Sequence, residues 1–355
     1  MACRRAAVLA IPLLAGCATP PSPAAAGELL DALFAPPRAS ELAAVRADWA
    51  ARDTGVRGWR VEWRHEDRGQ GRTLAVSHVV DGFRHYGLVR IPPGGAGRRL
   101  PVLVVAHGGD AGATRYQFFR QGAAARGWVQ VVPSFRSERL IAAPLRWYRS
   151  EGPPSPWDRD VDDAMALLGG VLEHVPEADP SRVAVLGRSR GGGVALLMAA
   201  RDPRVQGVVT WAAPTDFLLP EVRRLAQRAI RSRVARLPGA GYLADSVLFA
   251  LRDGRTTVER ARLELVRRSA AYFAERLPPA MIHHGMLDDE VPVAHGERID
   301  AALRSRSAGS PPHEYHRYPD GGHRPVSMPG SAARTDAFLG RIARGELRRG
   351  GEAGR

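Results

Sequence analysis

The stretch Val183–Asp202, "VAVLGRSRGGGVALLMAARD", contains a hydrophobic run, a serine and a cluster of glycines in direct succession. The hydrophobic run ends at Gly187, and Ser189 follows between two arginines. Three consecutive glycines come next, and the segment behind them is rich in alanine and leucine, which favour a helix. This order predicts a buried strand that turns directly into a helix, with Ser189 at the turn.

The pentapeptide "GRSRG", residues 187–191, fits the pattern Gly-x-Ser-x-Gly. Between a strand and a helix, this pattern predicts a tight, strained turn that holds a nucleophilic serine above the edge of the sheet. Gly187 and Gly191 are then required because a Cβ atom two positions from the serine comes too close to the backbone. The alternatives are a structural turn and a turn that binds phosphate at the helix N-terminus.

A serine hydroxyl is a weak nucleophile, so it needs a basic group that is oriented by an acid. Downstream, "HHGMLDDEVP" and "YPDGGHRP" each follow a predicted strand, where catalytic groups collect in open α/β sheets. These loops contain Asp288, the candidate acid, and His323, the candidate base. Asp289 and Asp320 are the alternative acids.

Two backbone N–H groups are needed to stabilise the oxyanion that forms during attack on an acyl group. One is expected from Arg190, the residue after the candidate nucleophile. The other is expected from the glycine-rich loop "HGGDAG", residues 107–112, and Gly109 is the candidate. No cofactor and no metal are expected, since both cysteines, Cys3 and Cys17, lie far from these motifs.

Strand and helix patterns alternate through most of the chain after Leu100. Continuous apolar runs such as "LPVLVVAHGG", residues 100–109, are typical of strands that are buried on both faces. Amphipathic runs such as "RDVDDAMALLGGVLEHV", residues 159–175, indicate the helices between them. The prediction is an α/β fold with a doubly wound, mostly parallel sheet.

No strand is predicted over residues 215–277, whose helical patterns interrupt the alternation. We interpret this block as a helical insert that packs on its own domain, caps the active site or contacts a membrane surface. The predicted organisation is a signal peptide at 1–17, a tether at 18–27, an N-terminal helix and β-hairpin at 28–98 packed on a catalytic domain at 99–347, and a disordered tail at 348–355.

The N-terminus has two early arginines and then an apolar stretch that is too short to span a bilayer. The stretch ends in "LAGC", residues 14–17, which resembles the lipobox of bacterial lipoproteins. That resemblance implies acylation of Cys17 and a lipid anchor in the cell envelope, in the outer membrane facing the periplasm. The alternatives are a plain cleaved signal peptide and a chance apolar start.

The formal net charge of +14 is the composition that basic nucleic-acid-binding proteins show. The arginines are spread along the chain, however, and lysine and asparagine are absent, which indicates a coding bias. The sequence also lacks interleaved basic and aromatic residues. We therefore expect no nucleic-acid partner, and we expect weak attraction to an anionic membrane surface instead.

From about Leu100 to Leu347, the chain resembles the catalytic domain of the prolyl oligopeptidase family within the α/β-hydrolase superfamily. The matching segments keep the family's order and include "VVAHGG", "WDRDVDDAMALL", "RVAVLGRSRGGGVAL" and "IHHGMLDDEVP". The resemblance implies a triad of Ser189, Asp288 and His323, because the family pattern His-Gly-x-x-Asp-x-x-Val-Pro selects Asp288 as the acid.

The resemblance further implies a serine-type peptidase that cleaves amide bonds of small peptides through an acyl-enzyme. The residues before the catalytic domain are too few for the β-propeller of full-size members. Arg136-Ser137-Glu138 also replaces the family's Arg-Gly-Ser. An esterase of small acyl esters is therefore the alternative, and a non-catalytic envelope lipoprotein is the third. The sequence does not indicate an oligomeric state.

Overall fold

The computed structural model describes residues 23–119, 124–232 and 240–349. The predicted signal peptide with Cys17, residues 18–22 of the predicted tether and the last part of the predicted tail lie outside the described residues. Among the described helices, none combines the length and the apolar character needed to cross a membrane.

Nine strands form the central sheet, and three short strands form a second sheet. The strands are β1 (Arg57–Asp67), β2 (Gly71–Val80), β3 (Phe83–Ile91), β4 (Leu100–Ala106), β5 (Ala113–Thr114), β6 (Val129–Pro133), β7 (Arg139–Ala143), β8 (Arg146–Arg149), β9 (Ala178–Arg188), β10 (Val205–Trp211), β11 (Ala280–Gly285) and β12 (His313–Tyr318). The central sheet has the order β1-β2-β3-β6-β4-β9-β10-β11-β12, and the second sheet has the order β5-β7-β8.

The strands from β6 to β12 of the central sheet pair in parallel, and β1, β2 and β3 add an antiparallel extension at one edge. Because parallel strands share a direction, the loops after β4, β9, β11 and β12 all open at the same edge of the sheet. The loops that carry the predicted site residues therefore lie at one edge.

Ten α-helices are described, with one π-helical and several 3-10 segments between them. The α-helices are α1 (Pro23–Phe34), α2 (Ala39–Ala50), α3 (Arg159–His174), α4 (Arg190–Arg201), α5 (Pro220–Ser232), α6 (Ala240–Leu243), α7 (Ala250–Arg252), α8 (Val258–Val266), α9 (Ala294–Arg304) and α10 (Ser331–Ala343).

The sheet separates two hydrophobic cores, because successive residues of a strand point to opposite faces. In β4, Val102 and Val104 belong to the core that includes α3, α4 and α9, whereas Leu103 and Val105 belong to the core that includes α10. Every residue of β4 is buried. The doubly wound, mostly parallel α/β fold predicted from the sequence is confirmed.

Two local differences from the sequence interpretation lie near the chain ends. Helix α1 begins by Pro23, so the second half of the predicted tether is helical; Ala24–Ala26 favour a helix, and proline fits its first turn. At the other end, Arg349 donates from its backbone N–H to Gln206 Oε1 at 3.1 Å, so the predicted tail is attached to the domain at this residue.

One buried arginine of the helical block at 215–277 contacts both N-terminal helices. Arg262 on α8 donates to both carboxylate oxygens of Glu41 on α2, at 2.7 and 2.9 Å. The same guanidinium donates to backbone carbonyls at the end of α1, including Ala32 and Leu33. These carbonyls have no partner inside the helix, so Arg262 satisfies the end of α1 and joins three helices.

We expect Arg262→Met to lower the free energy of unfolding by about 3 kcal/mol, because it leaves Glu41 as a buried carboxylate without its main partner. The hydrogen bond from Arg262 lowers the pKa of Glu41 from 4.5 to about 2. A carboxyl group whose pKa is lowered by folding stabilises the fold when the pH is above its ordinary pKa of 4.5. This stabilisation is lost as the pH falls through the lowered pKa of about 2. The difference between wild type and variant should therefore narrow below pH 4.5 in chemical denaturation.

The matched control is Arg260→Met on the same helix, since Arg260 is exposed. We expect this variant to remain within about 0.5 kcal/mol of wild type. Equal losses in the two variants would contradict the assigned role of Arg262.

Candidate active site

Ser189 lies at the junction of β9 and α4, at the carboxyl edge of the sheet. Its backbone has φ 54° and ψ −127°, a conformation that residues with a side chain adopt rarely and at an energetic cost. The backbone N–H of Ser189 donates to the carbonyl of Trp211 at 2.9 Å, which ties the turn to the end of β10. The strained turn predicted from "GRSRG" is present.

The glycines around Ser189 allow backbone segments to pass close to one another. A Cβ atom on Gly187 would lie 2.0 Å from the carbonyl oxygen of Gly191, and one on Gly191 would lie 2.1 Å from that of Ala106. Neither distance is compatible with a side chain, so both positions require glycine. The turn therefore lies in close backbone contact with the end of β4, where the glycine-rich loop begins.

His323 and Asp288 come together from the loops that follow β12 and β11. His323 Nδ1 lies 3.0 and 2.9 Å from the two carboxylate oxygens of Asp288. Asp288 also accepts backbone N–H groups of Glu290 and Val291, at 3.0 and 2.8 Å. Burial alone would raise the pKa of Asp288, but these hydrogen bonds outweigh it and lower the pKa below its usual value.

The surroundings of the other candidate acids differ from those of Asp288. Asp288 is 7% exposed, whereas Asp289 and Asp320 are both exposed to solvent. Because the loop after β11 turns between consecutive residues, Asp288 points inward to His323 and Asp289 points outward. The structure therefore brings together the pair Asp288 and His323 that the sequence singled out.

No hydrogen bond joins Ser189 to His323 within the described part of the chain. The second ring nitrogen of His323, Nε2, lies 3.6 Å from Glu290 Oε2. Catalytic hydrogen bonds without substrate are often long and tighten only when a substrate is bound. The strand ends place Ser189 and His323 at the same edge of the sheet, and Ser189 itself is half-buried.

The loop after β4 lies directly against the candidate nucleophile. A Cβ atom on Gly108 would lie 3.3 Å from Ser189 Cβ and 2.9 Å from the carbonyl oxygen of Arg188. Gly109 has φ 72°, and its Cβ position is open. The N–H of Arg190, the first residue of α4, has no carbonyl partner inside the helix. Both predicted oxyanion donors thus belong to segments that adjoin Ser189 in space.

A buried group of charges below the turn was not predicted from the sequence. Arg190 contacts Asp160 and Glu138, and Glu138 Oε2 lies 3.3 Å from His107 Nε2. Burial raises the pKa of Glu138 to about 7, despite the opposing charge of Arg190. Burial, together with that same charge, lowers the pKa of His107 to about 3. The only sequence signal was Glu138 itself, which departs from the family's Arg-Gly-Ser.

Two histidines at the end of β11 form hydrogen bonds inside the fold. His283 Nδ1 lies 2.8 Å from the Tyr318 hydroxyl, and His284 Nε2 lies 2.9 Å from the carbonyl oxygen of Val291. Neither ring is exposed. Among the described residues, no cluster of histidine, cysteine and carboxylate side chains is arranged to hold a metal ion.

Comparison with known protein families identifies the fold. The family described as alpha/beta hydrolase fold matches residues 148–326, which is half of the chain and includes Ser189, Asp288 and His323. The chain belongs to this family. Membership supports the prediction of a serine hydrolase.

The curated relatives share only a segment with this alpha/beta hydrolase. A polyketide transferase, ATR5, of Stachybotrys chlorohalonatus is 34% identical over 84 residues, covering 23% of this chain and 28% of that protein. A thiohydrolase, apmlB, of Arthrinium phaeospermum is 34% identical over 116 residues, covering 30% of this chain and 36% of that protein. The chain thus matches about a third of the length of these relatives.

Solved structures with the same fold include esterases and peptidases. Acetyl xylan esterase 1 from Thermoanaerobacterium has a TM-score of 0.63 at 19% identity and covers 89% of this chain and 98% of that one. A puromycin-hydrolyzing peptidase of Mycobacterium tuberculosis has a TM-score of 0.53 at 19% identity. It covers 79% of this chain and 39% of that one. At these identities, the likeness shows the fold alone.

Proposed function

We propose that this alpha/beta hydrolase is a serine hydrolase of the prolyl oligopeptidase type, which cleaves amide bonds of small substrates through an acyl-enzyme. The observation that carries the proposal is the contact between His323 and the buried Asp288 at the sheet edge where Ser189 occupies a strained turn. A weak nucleophile at such a turn gains reactivity from a base that an acid orients.

In the proposed first step, Ser189 Oγ forms a bond to the carbonyl carbon of the substrate, and its proton passes to His323 Nε2. The carbonyl electron pair moves to oxygen and gives an oxyanion, which accepts hydrogen bonds from the N–H groups of Gly109 and Arg190. When the oxyanion collapses, the bond to the leaving group breaks, and His323 protonates that group. Water then repeats these steps on the acyl-enzyme and releases the acid.

Asp288 remains ionised throughout this sequence, in agreement with its lowered pKa. Its contact with Nδ1 holds the His323 ring so that the lone pair of Nε2 is free for the serine proton. It also stabilises the positive charge that His323 carries in each tetrahedral state. Both roles need a carboxylate that is fixed by further hydrogen bonds, as Asp288 is by the loop at 288–291.

A second candidate function is hydrolysis of small acyl esters. It is favoured by the near-complete overlap with the acetyl xylan esterase fold, 89% of this chain against 98% of that one. The puromycin-hydrolyzing peptidase, in contrast, is matched over 39% of its length. Ester cleavage uses the same triad, so the two functions differ in substrate and not in machinery.

We further propose that the enzyme acts from a lipid anchor at Cys17 in the cell envelope. This proposal rests on the "LAGC" motif of residues 14–17 alone. Mass spectrometry of the mature protein tests it directly, since an acylated N-terminal cysteine has a diagnostic mass. An unmodified N-terminus would overturn it.

The experiment that tests the proposed function compares turnover of short p-nitrophenyl esters with that of aminoacyl and dipeptidyl p-nitroanilides. The full chain is assayed in mild detergent, and Ser189→Ala serves as the control for every substrate. Amide cleavage that depends on Ser189 supports the peptidase, and cleavage of esters alone supports the esterase. Absence of both, with no labelling of Ser189 by a fluorophosphonate, would favour the non-catalytic lipoprotein.

A further inference from the structure

The side chain of Arg190 is buried and engages several groups at once. Its guanidinium donates to Asp160 Oδ2 at 2.7 and 3.0 Å and also contacts Glu138. A further N–H donates to the carbonyl oxygen of Gly109 at 3.1 Å. The same group lies 5.0 Å from the centre of the Phe135 ring. With 4% of its side chain exposed, Arg190 is not available to bind an anionic substrate.

The hydrogen bond from Arg190 to Gly109 connects the two residues that supply the N–H donors of the proposed oxyanion hole. Arg190 supplies one N–H donor from its backbone, and its side chain binds the carbonyl of the residue that supplies the other. Gly109 has φ 72° and no side chain, so no side-chain packing of its own can hold that residue. The loop therefore depends on outside contacts for its orientation, and a guanidinium with a fixed fork geometry is well suited to provide one.

The start of the same loop lies close to this group of charges. His107 directly follows β4, its Nε2 is 3.3 Å from Glu138 Oε2, and Glu138 is itself in contact with Arg190. Among the described residues, neither of these two atoms has a hydrogen-bond partner, so the link between the loop and the guanidinium is the hydrogen bond that Arg190 donates to Gly109. Asp160, which belongs to α3, binds the guanidinium of Arg190 from the side of the hydrophobic core.

We propose that Arg190 is a positioning residue for catalysis, whose side chain holds the Gly109 loop in the orientation that aims its N–H at the oxyanion. The inference rests on the proposed function. It predicts that loss of the guanidinium slows formation of tetrahedral states with little effect on binding of the ground state. Displacement of a catalytic group by about 1 Å is enough to cost up to about 100-fold in rate.

A merely structural role for Arg190 would show only as lost stability, and the chain provides a matched control for that possibility. Arg201 ends the same helix and is likewise buried, with 5% of its side chain exposed. It contacts Asp162 of α3, and its guanidinium lies 5.1 Å from the centre of the Trp49 ring. Arg201 therefore shares the burial, the ion pair and the aromatic contact of Arg190 but lies at the opposite end of α4.

The experiment measures the rate at which a fluorophosphonate labels Ser189 in the full chain, by intact mass, for wild type, Arg190→Met, Arg190→Lys and Arg201→Met. In this reaction, Ser189 Oγ bonds to phosphorus, fluoride leaves, and the serine proton is lost to the base. The developing charge on the phosphoryl oxygen needs the same N–H donors as an acyl substrate. Thermal unfolding of each variant is recorded in parallel.

We expect labelling of Arg190→Met to be slower than wild type by about 10- to 100-fold and that of Arg201→Met to stay within about twofold. With a p-nitrophenyl ester, kcat of Arg190→Met should fall while KM changes little. If Arg190→Met fails to fold, Arg190→Lys takes its place, because it keeps the charge toward Asp160 without the fork that reaches Gly109.

Equal labelling rates in wild type and the Arg190 variants would overturn the inference and leave the proposed function standing. Equal slowing in the Arg190 and Arg201 variants would also overturn it, because it would trace the effect to general destabilisation. Absence of labelling at Ser189 in the wild-type protein would overturn the proposed function, and the inference with it.

Discussion

Ser189→Ala is expected to lower kcat/KM by at least about 10⁴-fold, because it removes the hydroxyl that is proposed to form the acyl-enzyme. Removal of one oxygen atom leaves the backbone of the turn intact, so we expect the melting temperature to stay within the range of ordinary surface substitutions. The measurement is the turnover of whichever ester or amide the wild-type enzyme cleaves, together with thermal unfolding. Both quantities are needed, because lost activity in an unfolded variant would carry no information.

The control for this prediction is Ser181→Ala. Ser181 lies on the same strand as the turn and is exposed, and its hydroxyl donates a hydrogen bond to the nearby Asp179. Its replacement should leave turnover within about twofold, as for other exposed positions. Substantial turnover by Ser189→Ala would show that the reaction does not pass through this serine.

Asp288→Asn is expected to lower kcat by about 10⁴-fold, since an amide favours the wrong histidine tautomer and cannot stabilise the imidazolium. The carboxylate oxygens of Asp288 lie 3.0 and 2.9 Å from His323 Nδ1, so the amide group would occupy the same place. The expected change is therefore in chemistry and not in shape. Steady-state kinetics at pH 7 to 8 with the best substrate give the measurement.

Asp289→Asn makes the same chemical change one residue further along the chain. Asp289 is exposed, whereas Asp288 is 7% exposed and faces His323. We expect Asp289→Asn to keep kcat within about twofold of wild type. A large loss in this variant together with a nearly silent Asp288→Asn would reverse the assignment of the acid.

Much of the candidate site could be predicted because it depends on short-range backbone chemistry. A strand that turns directly into a helix around a serine leaves no room for Cβ atoms at Gly187 and Gly191, so glycines in register with a serine reveal the turn. The loops with Asp288 and His323 follow apolar strand patterns, and parallel strands bring such loops to one edge. The resemblance to a peptidase family then selected Asp288 over its neighbour.

Other features could not be predicted, because they join residues that are distant in sequence and that have no local signature. In the sequence, nothing distinguishes Glu138, Asp160 and Arg190 from other charged residues. They are buried together only when α3 packs against α4. The same holds for Arg262 and Glu41, which are 221 residues apart in sequence. Charge alone indicates an exposed residue by default, since burial of a charge is costly unless it is paired.

The amino-acid order thus settles the fold class and the place of the candidate nucleophile, because periodicity and steric limits act between residues that are near in the chain. Tertiary structure decides which acid faces His323 and what holds the Gly109 loop, since both depend on contacts between separate strands and helices. Arg190 shows the difference at one residue. Its backbone position follows from the turn, but its side chain acquires partners only when α3, α4 and the loop after β4 are packed together.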